Sequence, residues 1–247
     1  MKIYAPSYKR FDGVKTHLLL PNVIYCVHEF EAQKYIDKGY NVEVLPDSIR
    51  GNIARVRNYI LDNYVKEKGL IIDDDIECIK RWTLKDDKPK AIKIKDLEEF
   101  IEFGFLHCEE FGAKLWGMNI IGDKGSYREY TPLSLTNTVS GSFMGFLNND
   151  LRFDERIPLK EDYDYCIQNM NEHRKVLRFN NTFMIKKDHA NKGGCADYRT
   201  IGREVEQLKL LQKKWGNSIV KFDTTQRGKK TKGFDINPII KIPIKGV

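Results

Sequence analysis

The sequence predicts an α/β protein with a mainly parallel sheet and helices on both faces. Two observations predict it. Apolar segments of strand length recur along the 247 residues, and segments with helical apolar spacing lie between them, the alternation that produces parallel sheets. Composition agrees: 41% hydrophobic and 31% charged residues suffice for one substantial domain with a buried core, or one domain plus a small appendage.

Taken in order, the first strands are expected at "KIYAP" (2–6) and "NVIYCV" (22–27). A helix follows in "EFEAQKYIDKG" (29–39), where Phe30, Ala32, Tyr35 and Ile36 supply the apolar face and a glycine ends the pattern. After a strand at "NVEVLP" (41–46), "NIARVRNYILDNYVKEKG" (52–69) places Ile53, Val56, Ile60 and Tyr64 on one helical face. Strands at "GLIID" (69–73) and "LWGMNII" (115–121) come next. The interval "DKGSYREYTPLSLTNT" (123–138), rich in Gly, Ser, Thr and Pro, reads as a mobile loop. "GSFMGFLNNDLRFDERIPLKEDYDYCIQ" (141–168) reads as a small-residue strand, a polar hairpin, and an amphipathic helix opened by Glu161 and Asp162. The strand-like "NTFMIKK" then leads into the Gly-rich "KKDHANKGG" (186–194).

Residues 1–196 are thus expected to form the main body and 197–247 a short basic extension. The formal charge of +7 resides in that extension, which has 12 Lys and Arg against 5 Asp and Glu, whereas the body has 30 of each. A basic tail on a neutral body points to a polyanionic partner, because cations that neutralise phosphates gain affinity by counterion release. A solvated basic surface that aids solubility has the same composition. The tail reads as a basic amphipathic helix, a strand, and the loop "QRGKKTKG", in which Arg227, Lys229, Lys230 and Lys232 suit a phosphate backbone.

The N-terminal segment lacks the apolar core of a secretion signal, and no window approaches the roughly 18 apolar residues that span a bilayer. A cytoplasmic protein with no membrane partner is expected. The five cysteines are odd in number and show no C-x-x-C spacing, so neither a disulfide framework nor a zinc site is indicated.

Ligands of parallel sheets bind beyond the carboxyl ends of the strands. "APSYKR" leaves the first strand there and "DDD" leaves the fourth. Asp-x-Asp at a strand end suits a divalent cation, two hard oxygen ligands leaving positions open for phosphate oxygens. Asp73, Asp74 and Asp75 offer overlapping choices, of which Asp73 with Asp75 is favoured; an acidic helix cap or a solvated loop is the structural alternative. Glu161 and Asp162 at a helix N-terminus are stabilised as anions, the form a general base needs. In the late loop, His189 can complete a metal site, and Lys192 with its glycines can approach a pyrophosphate.

In succession, the strand ending in Pro-x-x-x-Arg, the Arg- and Asn-bearing helix, "IIDDD", the Gly-Ser strand, "ED" opening a helix and the late "DH" loop resemble the GT-A (Rossmann-like) glycosyltransferases over residues 2–194. The resemblance implies that Pro6, Ser7 and Arg10 contact the nucleotide and that Arg55 and Asn58 line the donor pocket, with Asp74 beside them. It implies that Asp73, Asp75 and His189 hold Mn²⁺ or Mg²⁺ against the diphosphate, and that Asp162 or Glu161 activates the acceptor hydroxyl. Among such enzymes, the compact body, "NIARVRNYILDNY" running into "IIDDDIE", and the basic tail are most similar to the phage TET-associated glycosyltransferases. These modify 5-hydroxymethylcytosine in double-stranded DNA, so the resemblance implies a nucleotide-sugar donor, with uridine the commonest base for the fold, and the host cytoplasm as location; Asp162 or Glu161 opposite the leaving group would give inversion, and placed elsewhere retention. Tyr127, Tyr130 or Tyr198 could stack on a flipped base. A glycan or lipid-linked acceptor would leave the tail without this role, and a non-enzymatic nucleic-acid-binding module would not bind nucleotide-sugar at all.

Overall fold

Successive residues of the central strands turn to opposite faces, and each alternate set packs under its own pair of helices. The computed structural model describes residues 1–120, 122–127, 129–186, 193–222 and 237–242. Its main sheet begins with β1 (Lys2–Pro6), β2 (Ile24–His28), β3 (Val42–Leu45) and β4 (Lys68–Ile72), and continues through β7 (Leu115–Met118), β8 (Leu133–Ser134), β9 (Phe143–Leu147) and β10 (Leu177–Phe179). A separate sheet holds β5 (Ile76–Lys85), β6 (Lys88–Lys93) and β11 (Thr182–Lys186), and β12 (Val220–Phe222) pairs with β13 (Pro238–Ile240). The helices are α1 (Glu29–Ile36), α2 (Ile53–Asn63), α3 (Leu97–Glu110), α4 (Glu161–His173) and α5 (Ile201–Trp215).

The main sheet has the order β3-β2-β1-β4-β9-β7-β10-β8, with only β9 and β8 running against the rest. Ile3 and Ala5 of β1 join Leu70 and Ile72 of β4 in a core under α1 and α3, whereas Tyr4 and Ile71 point into a second core under α2 and α4. This is the period-two alternation of a strand buried on both faces. A third cluster lies outside the second: Tyr163 and Ile167 of α4 meet Leu208 and Leu211 of α5. The basic extension is therefore packed against the outer side of α4 through its own helix.

The expected α/β architecture is present, with local differences. After Asp75 the chain enters the ten-residue strand β5, so the triplet caps no helix. The expected second helix stops at Asn63, since β4 already begins at Lys68 and pairs with β1 from Gly69. The interval expected as a mobile loop carries β8, which pairs antiparallel with β10 at the sheet edge. α3, β5, β6 and β10 are among the elements that had no sequence assignment. α3 is capped by Asp96, which accepts from the Glu99 N–H at 2.9 Å, and the β5–β6 hairpin turns on Asp86 and Asp87, both at positive φ (52° and 55°) as a two-residue hairpin turn requires. Among the described residues no helix is long and apolar enough to cross a membrane.

Candidate active site

β1 and β4 are parallel neighbours and end side by side, so the segments leaving them meet. Ser7, just past Pro6 at the end of β1, is buried; its Oγ accepts from Tyr35 Oη at 2.8 Å and donates to Asp74 Oδ2 at 2.5 Å. Lys9 takes a positive φ of 55°, and its N–H is held by both carboxylate oxygens of Glu31 at 3.1 and 2.8 Å. This turn aims Arg10 back at the triplet. Arg10 Nη1 donates to Asp74 Oδ1 at 3.2 Å and Asp75 Oδ2 at 3.3 Å, and Nη2 donates to the Gly193 carbonyl at 3.3 Å. Further on, the Lys15 and Thr16 N–H groups donate to the Asp74 carbonyl and Thr16 Oγ1 to that of Asp73. Residues 7–16 are thereby latched to the backbone that carries the carboxylates.

The three aspartates face three different environments. Asp73 Oδ2 accepts from Lys186 Nζ at 2.8 Å, and the same ammonium donates to Ser142 Oγ at 2.5 Å. Burial disfavours the Asp73 anion, but Lys186 and Arg57 outweigh it and hold the carboxyl down at about 2. Asp74, turned toward Ser7, is pushed up to about 6 by burial, with Arg10 and Ser7 opposing. Asp75 is raised by burial and then by the Asp73 charge. Its Oδ1 is buried and has no hydrogen-bond partner among the described residues, an arrangement that costs free energy unless something positive fills it.

Glu161 and Asp162 open α4 beside this cluster. Glu161 is buried against Arg57 of α2, whose Nη1 donates to Oε1 at 2.6 Å while Nη2 donates to the Gly141 carbonyl at 2.7 Å. Burial pushes the Glu161 carboxyl up against the pull of Arg57. Asp162 is half-buried; its Oδ1 accepts from the Tyr163 N–H at 2.8 Å, and its Oδ2 lies where a Cβ on Gly141 would come within 2.8 Å. Only glycine lets α4 approach the 141–142 backbone this closely. Because the Ser142 carbonyl accepts from the Asp73 N–H at 3.0 Å, that approach carries Asp162 to the aspartate triplet.

The extension secures the same helix end. Lys160, the residue before Glu161, is buried in an ion pair with Glu204 of α5, and Gln207 Oε1 accepts from the Leu159 N–H at 2.6 Å. Toward the end of α5, Trp215 Nε1 and Lys214 Nζ donate to Asp164, itself fully buried. Glu204→Ala leaves the Lys160 ammonium buried without its carboxylate, so a loss of about 3–5 kcal/mol is expected, read as a drop in Tm. Glu204→Leu combined with Lys160→Met should recover much of it.

The other expected site residues fall elsewhere or beyond description. Arg55 is paired with exposed Glu155 at 3.2 Å, and Asn58 bonds the backbone of Phe153 in both directions, so both grip the 151–157 segment and neither contacts the triplet. His189, Lys192, Arg227, Lys229, Lys230 and Lys232 lie outside the described residues. The far end of the late loop is described: Gly193 (φ 93°) lies so close to β1's exit that a Cβ would meet the Tyr8 carbonyl at 2.5 Å, and the Gly194 N–H donates to that carbonyl. Tyr130 is exposed, while the Tyr198 hydroxyl is turned to Cys195 Sγ at 3.0 Å.

Arg57, Lys186 and Ser142 complete the cluster without having been singled out in the sequence. Arg57 carried a signal: it stands four residues after Ile53 and three before Ile60, a cation inside the apolar stripe of α2, where a charge survives only if paired. Among the described residues no group of three or more His, Cys, Asp or Glu is arranged to hold a metal. A cation would instead take Asp73 and the partnerless Asp75 Oδ1 and leave its remaining positions to ligand oxygens, a donor set that fits Mg²⁺ or Mn²⁺ carried with a phosphate.

The cluster thus gathers paired strand-end carboxylates, cations suited to phosphate, and a helix-borne carboxylate at the carboxyl ends of the interior strands β1 and β4, the equipment for moving a group from a phosphorylated donor. No curated protein matches the chain. A sequence model of the TET-associated glycosyltransferases matches residues 1–194, the span that contains the whole cluster. The chain belongs to the TET-associated glycosyltransferase family.

Proposed function

We propose that this glycosyltransferase moves a sugar from a nucleotide-sugar, with UDP as the nucleotide, to the hydroxyl of 5-hydroxymethylcytosine in double-stranded DNA, with Mn²⁺ or Mg²⁺ held by Asp73 and Asp75. The observation that carries the reading is the buried, partnerless Asp75 Oδ1 beside Asp73, at the strand end where Arg10 and Lys186 converge. Bound there, the cation supplies Lewis-acid neutralisation of the departing diphosphate. His189 is proposed as a further ligand.

Pro6 and Ser7 position the nucleotide at the end of β1. Arg10, Lys186 and Lys192 take up negative charge as the bond between the anomeric carbon and the diphosphate oxygen breaks. Asp162 accepts the proton of the acceptor hydroxyl while that oxygen forms the new bond to the anomeric carbon, a single displacement with inversion. Arg57 acts on the geometry: it fixes Glu161 and the Gly141 carbonyl, the two groups that flank Asp162. Arg227, Lys229, Lys230 and Lys232 are proposed to hold DNA phosphates, and the modified base must leave the stack to reach Asp162.

Thermal-shift measurements with nucleoside diphosphates, with and without Mn²⁺, test the donor half. A nucleotide that raises Tm only when Mn²⁺ is present is expected. Equal responses with and without the cation, or no response to any nucleotide, would remove the reading.

A further inference from the structure

β5 and β11 pair antiparallel, and their register decides where Lys186 points. From Thr182 opposite Arg81 to Ile185 opposite Cys78 the pairs advance one for one, a course that would bring Lys186 opposite Glu77. The register shifts at that step, and Lys186 stands opposite Ile76 instead. An extra residue on one strand, the feature of a bulge, re-aims a side chain, and bulges recur beside active sites. Glu77, the carboxylate passed over, is paired with Lys15. Lys186 Nζ is left to reach Asp73 Oδ2 at 2.8 Å and Ser142 Oγ at 2.5 Å.

The chain thus sets a cation of its own on each carboxylate proposed to hold the divalent ion, Lys186 on Asp73 and Arg10 on Asp75. The two are held differently. Arg10 bonds Asp74, Asp75 and the Gly193 carbonyl and is 19% exposed, so losing one of these contacts leaves it in place. Lys186 pairs with one carboxylate among the described residues, and the side chains of that pair are 33% and 32% exposed. A ligand can reach such a pair and part it, since exposed ion pairs hold weakly.

A divalent ion at Asp73 and the Lys186 ammonium are like charges competing for one carboxylate. If the ammonium stays it repels the ion, and if it leaves it needs another anion. A diphosphate supplies that anion. Drawn to the phosphate oxygens, the ammonium yields Asp73 to the metal and keeps a charged partner. Lysine suits this exchange, being a compact charge with three rotatable donors on a flexible four-carbon stem.

We infer that Lys186 couples the two halves of the donor complex: it occupies Asp73 until a diphosphate draws it off, so the divalent ion binds tightly only together with the nucleotide. The inference rests on the proposal that Asp73 and Asp75 hold the ion. Such coupling is reciprocal and can be read from either ligand. Its test is a Mn²⁺ titration of the full chain, followed by the EPR signal of the free ion, with and without UDP. Wild type is compared with the neutral variants Lys186→Gln and Lys186→Met, and with Lys15→Gln, which removes a nearby charge that lies on Glu77 rather than on Asp73. Both Lys186 variants should bind Mn²⁺ alone roughly 10-fold or more tightly than wild type, within the usual range of coupling between sites. They should bind UDP alone more weakly, and the factor by which UDP tightens Mn²⁺ should fall by the same order. Lys15→Gln should match wild type. A gain in affinity cannot come from misfolding. Lys186 variants whose affinity for Mn²⁺ alone is unchanged or weaker, or an equal gain in Lys15→Gln, overturn the coupling and leave the metal site standing. A wild-type protein that binds no Mn²⁺, with or without UDP, overturns the metal reading as well.

Discussion

Asp75→Ala is expected to abolish sugar transfer and to leave Tm at or above the wild-type value. The two effects have one origin. Asp75 Oδ1 is buried without a partner and its carboxyl is raised by burial and by Asp73, so the apo fold bears this group at a cost. A folded-state value above the ordinary carboxylate range penalises the folded state once pH exceeds that range. The gain from deletion should therefore be absent in acid and complete above the raised folded value. Against it stands the loss of the Arg10–Asp75 contact at 3.3 Å, a small term because Arg10 keeps Asp74 and the Gly193 carbonyl. The net change is expected to lie between zero and about 1 kcal/mol of stabilisation. Transfer and the Mn²⁺ requirement for nucleotide binding should both disappear, since one of the two carboxylates proposed to hold the cation is gone. Unaltered turnover would sink the metal assignment, and a large drop in Tm would show that Asp75 serves the fold.

The second large effect separates two adjacent carboxylates. Asp162→Asn is expected to lower kcat by roughly 10²-fold or more, the usual scale for loss of a general base, with nucleotide affinity and Tm nearly unchanged. Glu161→Gln should do the reverse. It leaves the Arg57 guanidinium, 5% exposed, without its anion, and breaking a buried pair costs about 3–5 kcal/mol. Steady-state kinetics and thermal melts on the two variants distinguish the roles. If Asp162→Asn turns over normally, the base lies elsewhere or the displacement is not inverting.

The strands that frame the site were legible because each is a short apolar run closed by Pro, Asp or Gly, and α4 because its acidic opening precedes an apolar face. Which of two neighbouring carboxylates faces the cleft was not legible, since Glu161 and Asp162 differ only in what a distant element presents to them: Arg57 from α2 to one, Gly141 to the other. The family resemblance implied Arg55 and Asn58 for the donor pocket; they bond Glu155 and the Phe153 backbone, and the α2 residue that meets Glu161 is Arg57, on the apolar stripe. Polar residues on an exposed helical face usually serve solvent or neighbouring loops, and a buried cation is the rarer, more informative feature. The amphipathic spacing of α5 was readable, but its part in holding Lys160 depends on Glu204 meeting a residue 44 positions away, which no local pattern encodes.

The most direct measurement is the mass of each strand of a duplex bearing 5-hydroxymethylcytosine after incubation with the full chain, Mn²⁺ and a panel of nucleotide-sugars. One donor should add a single sugar residue to each hydroxymethylated site and release an equal amount of nucleoside diphosphate, with no gain on unmodified duplex and none with Asp75→Ala. Release of nucleoside diphosphate with no mass gain on the DNA from any donor, or glycosylated DNA produced by Asp75→Ala, would contradict the account.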